Sequence, residues 1–239
     1  MWSERTVPAL ILGVSLVAGL FLTGYQLADG IVRFRTSNRS VQVKGLSERE
    51  VRADVAIWPI RFKQADNHLS NLISGIDKKN EQIVHFLIER GFSEEDISLN
   101  PPSITDNEAS SYVDASKIKF RYTADSIVTV YTHDVDKVRD AMKNAGELAH
   151  QGIAISADDY NARTEFLFTG LNDIKPAMIE EATQKAREVA GKFALDSNSK
   201  LGKIKSASQG LFQINDRDRN TPYIKKVRII STIEYYLVD

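Results

Sequence analysis

The residues from Arg163 to Ile204, RTEFLFTGLNDIKPAMIEEATQKAREVAGKFALDSNSKLGKI, set the pattern that any fold of this chain must satisfy. Phe166 and Phe168 alternate as one face of a strand does, and Gly170, Asn172 and Asp173 then break the strand. Beyond the break, Met178, Ile179, Ala182, Ala186, Val189, Ala190 and Phe193 recur at three- and four-residue steps. That spacing predicts one apolar stripe on a helix, with Glu180, Glu181, Lys185, Arg187, Glu188 and Lys192 off it. Pro176 is expected in the first turn, where a missing N–H costs little. Glu181–Lys185 and Glu188–Lys192 have the favourable i,i+4 order, together worth about 0.5–1 kcal/mol. A helix with such a stripe must bury it, and the flanking strands supply a sheet to bury it on.

The rest of the body alternates strands with shorter helices. Val41 and Val43 open a strand that Gly45 is expected to end. A second strand starts near Val51; its apolar phase slips from Val51, Ala53, Val55 and Ile57 to Trp58, Ile60 and Phe62, which predicts a bulge at Pro59. Trp58 is either a core residue or an exposed binding aromatic. Asp66 or Asn67 can cap a helix with the stripe Leu69, Leu72, Ile73, Ile76, Ile83 and Leu87, followed by Gly91 as its C′ residue. Ile97 and Leu99 begin a strand closed by Pro101-Pro102, and Ser103–Ser116 reads as the longest loop. Ile118, Phe120, Tyr122, Val128 and Val130 keep one parity along a strand with one wet face. Asp134 can cap a short helix through Val138, Ala141 and Met142 that Gly146 stops. After the organising helix come a strand from Leu201 to about Ile214, the turn cluster Asn215–Pro222, and a closing strand with Val227, Ile229, Ile233, Tyr235 and Leu237. The order β-β-α-β-β-α-β-α-β-β predicts an α+β fold of mainly antiparallel strands with three helices on one face.

Val7–Ala28 holds no charged residue over about 22 positions, or roughly 33 Å as a helix. Gln26-Leu27-Ala28 is a poor cleavage site and Val17-Ala18-Gly19 would cut inside the apolar run. The segment therefore reads as an uncleaved signal-anchor, dividing the chain into anchor (1–30), linker (31–39) and α+β body (40–239). Arg33, Arg35 and Arg39 follow the run, and the positive-inside rule alone would place the body in the cytoplasm. A net charge of −1 argues against a nucleic-acid partner. The absence of cysteine excludes disulfides, Cys-ligated zinc and thiol catalysis.

No catalytic, cofactor or metal residue can be assigned. His133-Asp134 reads as a helix cap beside a surface histidine rather than a dyad. Asp134/Asp136, Asp158/Asp159 and Asp216/Asp218 lack the ligand density and glycine of a calcium loop. No GxSxG, GxGxxG or P-loop occurs. Lys225, Lys226 and Arg228 read as the wet face of the closing strand, with a polyanion or anionic-lipid surface as the alternative.

Three stretches carry a family resemblance: GFSEEDISLNPPSI (Gly91–Ile104), KFRYTADSIVTVYTHDVDKV (Lys119–Val138), and EEATQKAREVAGKFA followed by LGKI in the organising segment. Over about Ser40–Asp239 the chain resembles the SIMPL-domain family of bacterial envelope proteins, which includes oxidative-stress-defence and periplasmic immunogenic members. It departs from the family pattern at Ala145-Gly146-Glu147-Leu148, where members have a short Gly-Ala-Asn-type turn. The resemblance implies an α+β fold, export across the inner membrane and homo-oligomeric assembly, with no catalytic residues to carry over. It thus opposes the positive-inside placement. The expectation is a non-catalytic, membrane-tethered protein with a periplasmic body, acting through self-assembly or partner binding, with stress defence as its setting. The alternative is a hydrolase or ligand-binding domain with a site built by the 103–116 and 215–222 loops.

Overall fold

The computed structural model describes residues 13–26, 39–109, 118–156 and 163–238. Helix α1 occupies residues 13–26. The body then runs β1 (Ser40–Arg52), β2 (Val55–Asp66), α2 (Leu69–Glu89), a 3₁₀ turn (Glu94–Asp96), β3 (Ile97–Leu99), β4 (Ser103–Asp106) and β5 (Tyr122–Thr132). It continues α3 (Val135–Lys143), α4 (Gly146–His150), β6 (Glu165–Leu167), α5 (Leu171–Asp196), β7 (Lys200–Gln209), β8 (Gln213–Asp216) and β9 (Ile224–Val238). Among the described residues no helix is long and apolar enough to cross a membrane. Residues 7–12 and 27–28 of the expected anchor lie outside them.

The body is α+β, and its chain clusters into two compact units. One unit takes in the residues up to Glu48, Lys175–Phe212 and the stretch from Arg228; the other takes in Arg49–Ile174 and Gln213–Val227.

The second unit is built on one long antiparallel ladder. β2 pairs with β5 without a break from Ala56↔Thr132 to Asp66↔Tyr122. β6 adds to β2 at Val55–Ile57, while β3 and β4 add to β5, giving the order β3-β5-β2-β6. Side chains alternate across a strand, so Ala56, Trp58, Ile60 and Phe62 share a face with Ala124, Val128 and Val130. That face buries Leu72, Ile76, Ile83, Phe86 and Leu87 of α2. Asp134 caps α3 as expected, its carboxylate accepting from the Lys137 N–H at 3.0 Å, and Gly91 closes α2 at φ +80°.

Several expectations are corrected here. No bulge occurs at Pro59, which stands opposite Thr129 in unbroken register. The apparent phase slip arises because β1 runs on to Arg52, so Val51 belongs to the preceding strand and only the even-numbered face of β2 meets α2. Trp58 is 5% exposed inside this core, so it packs rather than projects. Ser103–Asp106 pairs as a strand, and residues 110–116 of the expected loop lie outside the described residues. Gly146 begins α4 instead of ending α3; the departure from the family pattern at Ala145–Leu148 is thus the entry to a fourth body helix, with Leu148 buried. The strand expected from Leu201 to Ile214 divides into β7 and β8.

The first unit packs α5, from Lys175 on, on one face of a sheet of order β1-β9-β7. The Leu237 N–H donates to the Arg39 carbonyl at 2.8 Å, and Arg228 meets Glu48 at 3.6 Å, so β1 and β9 run in opposite directions. β7 is antiparallel to β9. Helix α5 starts at Leu171, placing Pro176 in the second turn rather than the first. Its start is held within the second unit by Asp54, whose carboxylate accepts from the backbone of Thr169 at 2.8 Å and Gly170 at 3.0 Å. The buried stripe is narrower than the sequence spacing predicts. Met178, Ala182, Ala186, Ala190 and Ala194 are buried in four-residue steps, whereas Val189 and Phe193 are exposed. Glu181–Lys185 pairs at 2.6 Å, and Ser47 also donates to Glu181 at 2.8 Å.

Gly45 explains the alanine ridge. It lies inside β1, not at its end, and a Cβ added there would sit 1.8 Å from the Ala182 carbonyl oxygen. Only a glycine strand residue facing small helix residues permits that backbone approach. Replacing Gly45 with Ala is expected to destabilise this unit by about 1–3 kcal/mol through overpacking, read as a lowered urea midpoint. Ala182→Gly should not rescue it, because the obstructing atom is main chain. An unchanged midpoint in G45A would show that α5 and β1 do not approach this closely.

Candidate functional site

The two loops expected to form one site are apart. β4 pairs with Tyr122–Asp125, which lie opposite Lys63–Asp66 of β2. The Gln213–Pro222 segment lies beside β6, which pairs with Val55–Ile57 at the other end of β2. At least six residues of strand separate them, about 20 Å at the rise of a β-strand. The described residues therefore do not unite 103–109 with 215–222.

Each loop has its own polar organisation. Arg121 pairs with Asp106 at 3.2 Å and with Glu108 at 3.3 Å, closing the turn after β4. In the second loop Asp218 accepts from the backbone N–H groups of Asn220 at 2.9 Å and Thr221 at 2.8 Å. It also accepts from the Thr221 hydroxyl, and it pairs with Arg217 at 3.0 Å. Arg217 reaches on to Glu50 at 3.4 Å. The hydroxyl of Thr221, then Arg217, hold the Asp218 carboxyl down to about 2.

The basic cluster of the closing strand is not a patch. Lys225 is on the core side of β9, 8% exposed, and forms an ion pair with Asp216. Arg228 faces Glu48, and Lys226 has its own partner. Burying the Lys225 ammonium requires the Asp216 carboxylate; the wet-face reading of Lys225 fails for that reason.

The other acidic and histidine candidates are separately engaged. His133 Nδ1 lies 3.1 Å from the Asp54 carbonyl, while the neighbouring Asp134 turns to the α3 backbone. Asp136 pairs with Arg52 at 3.0 Å and Arg139 at 2.7 Å. Asp158 and Asp159 lie outside the described residues. No group of three His, Asp or Glu residues close enough to hold a metal ion occurs among the described residues. Along α2 and β3 a groove of about 530 Å³ is lined by Val84, Ile88 and Leu99 together with Asp77 and Glu81; its His85 faces Glu89 at 3.5 Å.

The first unit offers a different kind of feature, an open sheet edge. β7 has β9 on one side and no strand on the other among the described residues. Nearly its whole length is exposed, with Ile204 at 45% and, just past its end, Leu211 at 90%. On the same unit Phe193 is 54% and Leu195 75% exposed. The face of the sheet away from α5 is tied by Glu234. Its carboxylate accepts from Ser40 of β1 at 2.6 Å and from Lys205 and Ser206 of β7 at 2.9 and 3.2 Å. These bonds, Ser40 first and then Lys205, lower its pKa from the ordinary glutamate value. The sequence reading ran β7 on to Ile214 and missed this edge; the available signal was Gly210, which ends the strand at an exposed leucine.

Asp218 provides a pH readout of the loop. Its folded pKa of about 2 lies below the model-peptide value of 3.8, so its bonds stabilise the turn fully above about pH 4 and are lost as pH falls through about 2. A carbon-detected carboxyl titration should give a midpoint near 2, moved toward the ordinary value in T221A. A midpoint near 4 in the unaltered protein would mean that the turn is not closed in this way.

A search of curated proteins finds no match to this chain. The chain does match, over residues 41–227, the family model SIMPL, described as a protein of unknown function (DUF541). That span contains β2 to β8 and most of β1, and ends within β9, so the match covers elements of both units. With an α+β body of antiparallel strands, helices and this match over most of its length, the chain belongs to the SIMPL (DUF541) family.

Proposed function

We propose that this protein is a membrane-tethered component of the bacterial cell envelope that makes and breaks no bonds and works by contact, through assembly with copies of itself or capture of a protein partner. The observation that carries the reading is the β7 edge. An edge strand displays unpaired N–H and C=O groups, and proteins normally shield such edges. Here the edge has the apolar Ile204 and Leu211 on or beside it. Strand addition by a second copy would use those backbone groups and cover those side chains. Lys200, Lys203 and Lys205 lie on the same strand, and the register shifts between Leu201 and Ser206. Charges and irregularities of this kind limit indiscriminate pairing, so the contact is selective.

The tether in this reading is the uncharged run Val7–Ala28, retained in the inner membrane in a single pass with the body in the periplasm. The arginines at 33, 35 and 39 pull toward the opposite topology. Stress defence is the physiological setting that the family resemblance favours.

Sedimentation velocity of the full-length protein should give an oligomer, and Ile204→Lys should convert it to a smaller species with the unfolding midpoint unchanged. A strict monomer for the unaltered protein overturns the assembly half of the proposal. For topology, a carboxyl-terminal alkaline-phosphatase fusion should be active and a conventional fluorescent-protein fusion dark; the reverse pattern places the body in the cytoplasm.

A further inference from the structure

The second unit holds a cleft beside β6 and the Asp218 turn, of about 350 Å³. Trp58, Met142, Ile155, Phe166 and Pro222 supply apolar wall, and Arg163 and Arg219 also line it. The volume lies at the lower end of the range for small-molecule sites, and the mixture of apolar wall with few polar groups matches their usual make-up. A second cavity of about 330 Å³ shares Arg163, Thr164, Phe166 and Pro222, and adds Glu165 and the Asp216–Lys225 pair.

The arginines distinguish this cleft from an ordinary crevice. Elsewhere in the unit, arginines are spoken for: Arg52 by Asp136, Arg61 by Asp125, Arg90 by Glu147, Arg121 by Asp106, Arg139 by Asp136 and Arg217 by Asp218. Arg49 also has a partner. Arg163 and Arg219 have no hydrogen bond or ion pair to a described residue, and both line the same cleft. Arg219 sits directly after Asp218, in a turn that Asp218 fixes from both sides, so its backbone is held while its side chain is free. The charges nearby do not cancel the pair. Asp216 is committed to Lys225, and Glu165, which lines the adjoining cavity, makes no ion pair with Arg163.

We propose that this cleft binds a small amphipathic anion: a compact aryl or short alkyl body against Trp58, Phe166 and Met142, ending in a carboxylate that Arg163 and Arg219 hold. A guanidinium offers a planar fork of donors that matches a carboxylate, and two of them lining one partly apolar cleft select charge as well as shape. A cationic ligand with the same body is rejected, because its charge would face two unpaired arginines. The site is separate in residues from the β7 edge and does not depend on assembly there.

The test uses the full-length protein and two matched probes, 3-phenylpropionate and 3-phenylpropylamine, followed by calorimetry and, with Trp2 replaced by Phe, by Trp58 fluorescence. The acid should bind saturably, at least about tenfold tighter than the amine, and more weakly as salt is raised. R163Q and R219Q should each weaken the acid about tenfold or more, and R219K should fall between R219Q and the unaltered protein because it keeps charge but loses the fork. Neither arginine has a partner to lose among the described residues, so thermal midpoints should hold and a binding loss cannot be read as unfolding. Equal binding of acid and amine, no change in the R163Q/R219Q double variant, or no saturable binding of the acid would each overturn the proposal. Binding that persists in I204K separates this site from the assembly surface.

Discussion

The backbone contact between Gly45 of β1 and the Ala182 turn of α5 sets the geometry of the first unit. With no side chain at Gly45, helix and strand approach to a distance that a methyl group would prevent. The residues that meet the sheet must then be small, and they are: Ala182, Ala186, Ala190 and Ala194 lie in one four-residue row. Val43, Ile233 and Tyr235 complete that core from the sheet. Because the row is narrow, Val189 and Phe193 on the next row of the helix stay exposed, and among the described residues no strand flanks β7 on the side away from β9.

The second unit follows another principle. Its rigidity comes from the long β2–β5 ladder, whose shared face is filled by large side chains from α2. Around that frame the polar groups are paired within their own loops. Asp106 closes one turn with Arg121, Asp218 closes another with Arg217 and Thr221, and Lys225 is neutralised by Asp216 where β9 enters the core. Such pairing makes exceptions informative, and Arg163 and Arg219 are exceptions that share one cleft. A solvated arginine is ordinary by itself; two beside a common apolar wall form a recognition element.

In the proposed reading, the two surfaces serve a protein that acts through contact. One is a row of backbone donors and acceptors, which reads geometry and direction more than side-chain identity. The other is a small cavity that reads charge and an apolar shape. Membership of the SIMPL family constrains the architecture of the chain without naming an activity, so the chemistry of these surfaces is what points to function.

Much of the fold was written in local order. The parity of Tyr122, Val128 and Val130, the Asp134 cap, the Gly91 stop and the α2 stripe from Leu72 to Leu87 each depend on residues within a few positions of one another and stand in the structure, though Leu69 is exposed and Phe86 joins the stripe. Interpretations that needed a partner did not transfer. Gly45 looked like the end of a strand because the helix backbone it accommodates lies more than 130 residues away in sequence. The phase slip at Pro59 looked like a bulge until β1 was seen to claim Val51. Lys225 looked like surface because its counter-charge is on another strand, and the 103–116 and 215–222 loops looked like neighbours because sequence carries no measure of distance along a ladder. Periodicity, caps and turns are short-range physics and are legible in a string of residues. Which face is buried, which edge is left open and which charges go unpaired depend on long-range packing, and only the tertiary structure decided them.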